Sequence, residues 1–142
     1  EGEHVRIRGE LSLLTRSIEE EHLSDAAATR EWLDFAVDRG WLESAAAEIS
    51  RENVDAQVTA LHRIVAASPA RLVGISLPDL VGDRRAQNQP GTDQEYPNWR
   101  VPLTDGDGEA VALEDLPRAP LLRSLISSVR PTKAPAPRAP LG

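Results

Sequence analysis

The chain has 142 residues and a formal net charge of −7, a length suited to one domain with a moderate core. An acidic balance with a pI near 5.0 argues against a nucleic-acid binder. Cysteine is absent, which excludes a disulfide framework and thiolate chemistry, and no apolar run approaches the length of a membrane span.

Taken in order, Glu3 to Leu14 carries Val5, Ile7, Leu11, Leu13 and Leu14 among charges and reads as a helix weakened by Gly9. Thr15 to Ser17 is a break. Ser17-Ile18-Glu19-Glu20 has the spacing of a capping box, in which a serine and a glutamate three residues on satisfy each other's backbone N–H groups. The segment running on to Arg39 places Ala28, Trp32, Leu33, Ala36 and Val37 at helical intervals, a pattern that fits one helix or two. Gly40 suits the residue just past a helix end, with Trp41-Leu42 folding back on the helix. Ser50 or Asn53 then caps a helix whose apolar face is Val54, Val58, Leu61 and Val65.

Leu72, Val73, Gly74 and Ile75 form an apolar run between Pro69 and Pro78. It is too short for an amphipathic helix and predicts a fully buried strand near residues 71–76. Leu77 to Val81 is about one helical turn, with Pro78 near its start and Gly82 past its end. A long polar loop follows, with Asn88, Pro90-Gly91 and Pro97-Asn98 as its turn residues. A strand that hands over to such a loop is how α/β barrels build sites at the C-terminal ends of their strands. Val101 to Leu103 and Ala110 to Leu113 are short extended pieces around Asp105-Gly106-Asp107-Gly108, and Pro117 to Val129 is a terminal amphipathic helix. The segment 130–142 is rich in proline and alanine and predicts a disordered tail, leaving 1–129 as the folded unit.

Few motifs carry chemistry on their own. Asp105-Gly106-Asp107-Gly108-Glu109 lacks the third oxygen ligand of a calcium loop, and Leu116 stands where its bidentate glutamate belongs. His4, His22 and His62 have no metal-ligand spacing and read as exposed helix histidines. There is no Gly-x-Ser-x-Gly elbow and no Walker loop. Trp32 and Trp41 have the surface to stack on a sugar, but at helical positions they read as packing anchors.

Three ordered motifs point further: Leu77-Pro78-Asp79-Leu80-Val81-Gly82, Gln87-Asn88-Gln89-Pro90-Gly91-Thr92 and Tyr96-Pro97-Asn98-Trp99-Arg100. Together they resemble the C-terminal end of the 4-α-glucanotransferases, also called amylomaltases or disproportionating enzymes. The match is specific from Ala70 to Leu103 and looser from Gly2 to about Val129. The resemblance implies an α/β fold, the C-terminal part of a (β/α)8 barrel, with the eighth strand ending at Ile75-Ser76. It implies transfer of an α-1,4-glucan segment to the 4-hydroxyl of an acceptor by a retaining double displacement. The family's three catalytic carboxylates would lie upstream of Glu1, so no catalytic residue falls on this chain. The chain opens Glu1-Gly2-Glu3-His4 and contains no methionine, which with the resemblance leads us to expect a fragment that is inactive alone.

What the chain would contribute is sugar positioning. Asn88, Pro90, Gly91 and Thr92 are the expected substrate-binding residues. The Asn88 amide can donate to and accept from sugar hydroxyls, while Pro90-Gly91 gives a stiff backbone that a ligand can approach. Asp79 would bond the loop backbone or cap the short helix, Asn98 would tie off the loop, and Trp99 would be buried. The expected partner is an α-1,4-glucan or maltooligosaccharide. No metal, organic cofactor, nucleic acid or membrane is implied, and the charged first residues, unlike a signal peptide, lead us to expect a cytoplasmic protein. From a different class, the alternative is a self-standing helical interaction module with a proline-rich tail.

Overall fold

The protein is described here by a computed structural model that covers residues 3–130. Its regular elements are α1 (Glu3–Glu10), α2 (Ile18–Asp38), α3 (Val54–Ala67), α4 (Leu77–Val81) and α5 (Leu122–Val129), with 3₁₀ turns at Ser44–Ala47, Arg51–Asn53 and Leu113–Arg118. Among the described residues, the β pairing consists of an isolated antiparallel bridge between Thr104 and Ala110. Also among them, no helix is long and apolar enough to cross a membrane. The tail expected from 130 lies, beyond its first residue, outside the described residues.

Local chemistry sets most helix ends. α1 stops earlier than its apolar pattern suggests, because Ser12 turns left-handed at φ 56°. Its N–H donates to Gly9 O at 3.1 Å and that of Leu13 to Arg8 O at 2.8 Å, which closes the last turn. The capping box at the start of α2 forms in full: Glu20 N donates to Ser17 Oγ at 3.2 Å, and Ser17 N donates to Glu20 Oε2 at 2.9 Å. With that start, α2 runs as one helix of 21 residues. It ends in the same closed form, at Gly40 with φ 67°; Gly40 N donates to Val37 O at 2.8 Å and Trp41 N to Ala36 O at 2.9 Å.

The other caps differ from expectation. Neither Ser50 nor Asn53 places its side chain on a helix N–H. Asn53 instead donates to Glu48 O at 2.9 Å, which ties down the turn before α3. The expected terminal helix is broken, because Pro117 and Pro120 confine the first part to a 3₁₀ turn and α5 begins only at Leu122.

Two apolar clusters lie on either side of α3. On the α2 side Leu33, Ala36, Leu42, Ala47 and Ala60 are buried, with Val37, Trp41, Ala46 and Ile64 packed against them. Ala36 and Ala60 are both fully buried, so the two helices approach closely through small side chains. On the other side Leu80, Leu121 and Leu125 are buried, joined by Val58, Ile75, Ala119 and Leu122. The predicted single face of α3 is therefore divided: Val58 serves the second cluster, while Val65 is exposed. Gln57, not singled out from sequence, is buried and donates to Ala46 O at 2.9 Å and Glu48 O at 2.8 Å, which holds the 44–48 turn on the core.

The strand expected at 71–76 does not form. Residues 72–76 have no regular structure, and Leu72 is 92% exposed. A strand is made by hydrogen bonds to a neighbour, and the described residues offer this segment no neighbour. Ile75 alone of the run reaches the cluster around Leu80 and Leu125.

Leu33 is fully buried in the cluster on the α2 side. Leu33→Ala should lower unfolding stability by about 2–5 kcal/mol, read as a fall in the denaturant midpoint without a change in slope.

Candidate functional site

The connection from Asp83 to the bridge residue Thr104 has no regular structure of its own, a length at which loops in folded domains ordinarily carry function. It is held by polar contacts. At its base stands Asp83, whose side chain is 0% exposed. Oδ1 accepts from Arg85 N and Arg85 Nε, both at 3.0 Å, and Oδ2 accepts from Arg85 Nη2 at 2.9 Å and Thr104 N at 3.1 Å. Arg85 Nη2 also donates to Pro102 O. One carboxylate thus pins the first residues of the loop to the last.

A second hub closes the middle. Asn98 Oδ1 accepts from Gln89 N at 2.7 Å, and its Nδ2 donates to Thr92 Oγ1 at 2.8 Å and Thr92 O at 3.3 Å. The Thr92 hydroxyl donates in turn to Gln89 O at 2.7 Å. Trp99 N donates to Gln87 O at 2.8 Å, and the Tyr96 hydroxyl donates to Ala86 O. Gly91 takes φ 88°, a conformation that favours glycine, and Leu13 Cδ2 from the turn after α1 lies 3.5 Å from where a Cβ would sit.

The four residues singled out from sequence are therefore brought into one braced turn, with different freedom. Thr92 is engaged inside the loop through its hydroxyl. Pro90 and Gly91 are exposed backbone at the turn. The half-buried Asn88 makes no side-chain hydrogen bond among the described residues, so its amide keeps its full donor and acceptor capacity.

Asn98 ties off the loop as expected, but Trp99 is not buried. It is 77% exposed, at φ 60°, because its backbone turns left-handed to reach Gln87. Asp79 neither caps α4 nor bonds the loop backbone. Its Oδ2 lies 3.4 Å from Nε2 of His62 on α3, and His62 Nδ1 meets Val58 O at 2.9 Å, so this histidine is not an exposed helix residue. Burial pushes the Asp79 carboxyl up, opposed by His62. Trp41 packs on the α2 cluster as anticipated, whereas Trp32 is exposed.

Asp83 and Arg85 were not singled out from sequence. The available signal was an aspartate directly after the helix-ending Gly82, since aspartate readily bonds the backbone two residues on, as Arg85 N to Asp83 Oδ1 does here.

Burial alone would push the Asp83 carboxyl up. The side-chain and backbone hydrogen bonds from Arg85, the Thr104 N–H and the Arg85 charge outweigh it and hold the group below the usual carboxylate range. A depressed folded value means stability that is present above the unfolded value of about 3.9 and lost as pH falls through the folded value. Amide exchange at Arg85 and Thr104, corrected for intrinsic rates, should stay slow down to about pH 4 and accelerate below it. Asp83→Asn should leave both amides fast throughout.

Comparison with known proteins places this loop in context. The family model described as 4-alpha-glucanotransferase (Glyco_hydro_77) matches residues 18–107. The 4-alpha-glucanotransferase of Mycobacterium bovis is 46% identical over 115 residues, 81% of this chain and 15% of its own length. Those of two Mycobacterium tuberculosis strains match to the same extent. The crystal structure of amylomaltase from Corynebacterium glutamicum superposes with a TM-score of 0.79 at 33% identity, covering 90% of this chain and 19% of that one. The chain spans about 15% of the length of the curated relatives it matches, and by the family model and these likenesses it belongs to the 4-alpha-glucanotransferase family.

Proposed function

We propose that this chain is the loop-bearing part of a full-length 4-α-glucanotransferase and holds the acceptor sugar during transfer. In a retaining mechanism a carboxylate displaces the reducing-side part of the glucan from the anomeric carbon, and an acid protonates the departing 4-oxygen, which leaves as a hydroxyl. The same group then removes the proton from an incoming 4-hydroxyl, whose oxygen takes the anomeric carbon from the enzyme. Water competes for that second step. Transfer wins when a sugar hydroxyl is held in attack position, an advantage of orientation rather than of added reactivity.

The observation that carries the reading is the free Asn88 amide on a turn whose backbone is braced by Asn98 and Thr92. A braced turn that carries an uncommitted donor and acceptor pair suits a sugar edge. Pro90 and Gly91 set the turn, and Thr92 maintains it. The catalytic carboxylates would come from the remainder of the protein, and so would the neighbours that turn residues 71–76 into a barrel strand. Leu72, exposed here, would be covered by them. The family match weighs for this reading over a self-standing interaction module, which has only helical content on its side.

Two outcomes are expected. In the full-length protein, Asn88→Ala should lower transfer to glucose or maltose more than donor cleavage, each lost hydrogen bond being worth about 0.5–1.5 kcal/mol. Kinetics unchanged for every acceptor would reduce Asn88 to a turn residue. The 142-residue chain by itself should release no glucose from maltotriose, and release by the purified chain would contradict the division of roles.

A further inference from the structure

Trp99 has features that packing within this chain does not explain. Its indole is 77% exposed, although tryptophan has more apolar surface to hide than any other residue. Its backbone lies at φ 60°, a region that L side chains enter only at a cost and hold only when the surroundings impose it. The surroundings do so here. Trp99 N donates to Gln87 O at 2.8 Å, Asn98 N to Tyr96 O at 2.8 Å and Arg100 N to Pro97 O at 2.9 Å. Within this chain the loop's hydrogen bonds therefore hold a large ring outward. The bond to Gln87 also sets Trp99 beside the residue preceding Asn88, whose amide is uncommitted.

We infer that Trp99 is a stacking platform for a glucosyl ring of the acceptor, acting together with Asn88. This rests on the reading of the full-length protein as a glucanotransferase. A pyranose has a face of C–H groups and a rim of hydroxyls. The indole offers a flat apolar surface for the face, and the amide of Asn88, the residue after the one that Trp99 N meets, offers a donor and an acceptor for the rim. Few polar groups beside an aromatic wall is the usual composition of a small-molecule site. The strained backbone is consistent with this, since conformations of that kind gather where a side chain has to be presented.

The competing explanation is that the ring packs against the remainder of the full-length protein. Trp99→Gly separates the two, because glycine relieves the left-handed backbone while deleting the ring. In the full-length protein a stacking role predicts an unchanged or higher Tm. It also predicts a KM for glucose or maltose as acceptor raised about tenfold, which is what a loss of about 1.4 kcal/mol gives, and exceeding any fall in kcat. Trp99→Phe should recover most of that KM. A Tm lowered by several degrees in Trp99→Gly, or an acceptor KM that does not move, would overturn the platform while leaving the glucanotransferase reading intact. Failure of the unvaried full-length protein to transfer glucosyl units from maltotriose would overturn both.

Discussion

A carboxylate with no exposed surface is tolerable only when its charge is met by several donors, and Asp83 is met by four close ones from Arg85 and Thr104. The shape of the candidate site follows from this requirement. Because the donors come from both ends of the connection, satisfying the charge brings residues 83–85 and 102–104 together. The intervening stretch then closes into a loop whose second hub, Asn98, decides how the turn at Pro90-Gly91 is held. Removing the base would leave the upper contacts without a fixed floor.

The helical part of the chain serves mainly as a mount. α3 lies between two clusters, with Ala60 turned to α2 and Val58 to α4 and α5. The short helix α4, which delivers the loop, is seated by Leu80 in the second cluster and linked to α3 through Asp79 and His62. From the opposite end of the sequence, Leu13 lies where it would meet a Cβ on Gly91. The site is thus steadied from below by apolar packing and from the side by one contact, while its own form is polar.

The sequence was most readable where a single local rule decides the outcome. The capping box at Ser17 and Glu20 and the left-handed end at Gly40 are of this kind, since each depends on a few adjacent residues. The two hubs of the loop were half readable: Asn98 stood in a recognisable motif, but Asp83 acquires its role only through Thr104, a partner 21 residues away. Misreadings had a common cause. Leu72 to Ile75 has the composition of a buried strand, yet a strand depends on neighbours that composition cannot supply. Trp99 was expected inside as a structural part of its motif, but its ring is exposed, with its N–H bonded to Gln87 O. Gln57 went unnoticed because a buried amide looks like a surface one until its carbonyl partners are known.

Nearly all the hydrogen bonds that shape the loop begin and end within the same contiguous stretch of chain, from Asp83 to Thr104. Such a segment carries its own instructions. It behaves as a cassette, and transplanting it between two loop ends of matching spacing would transfer its geometry with it, provided the recipient offers a small apolar side chain near Gly91 in place of Leu13. Moving one short block of sequence would then carry the form of the turn at Pro90-Gly91 and leave the scaffold alone.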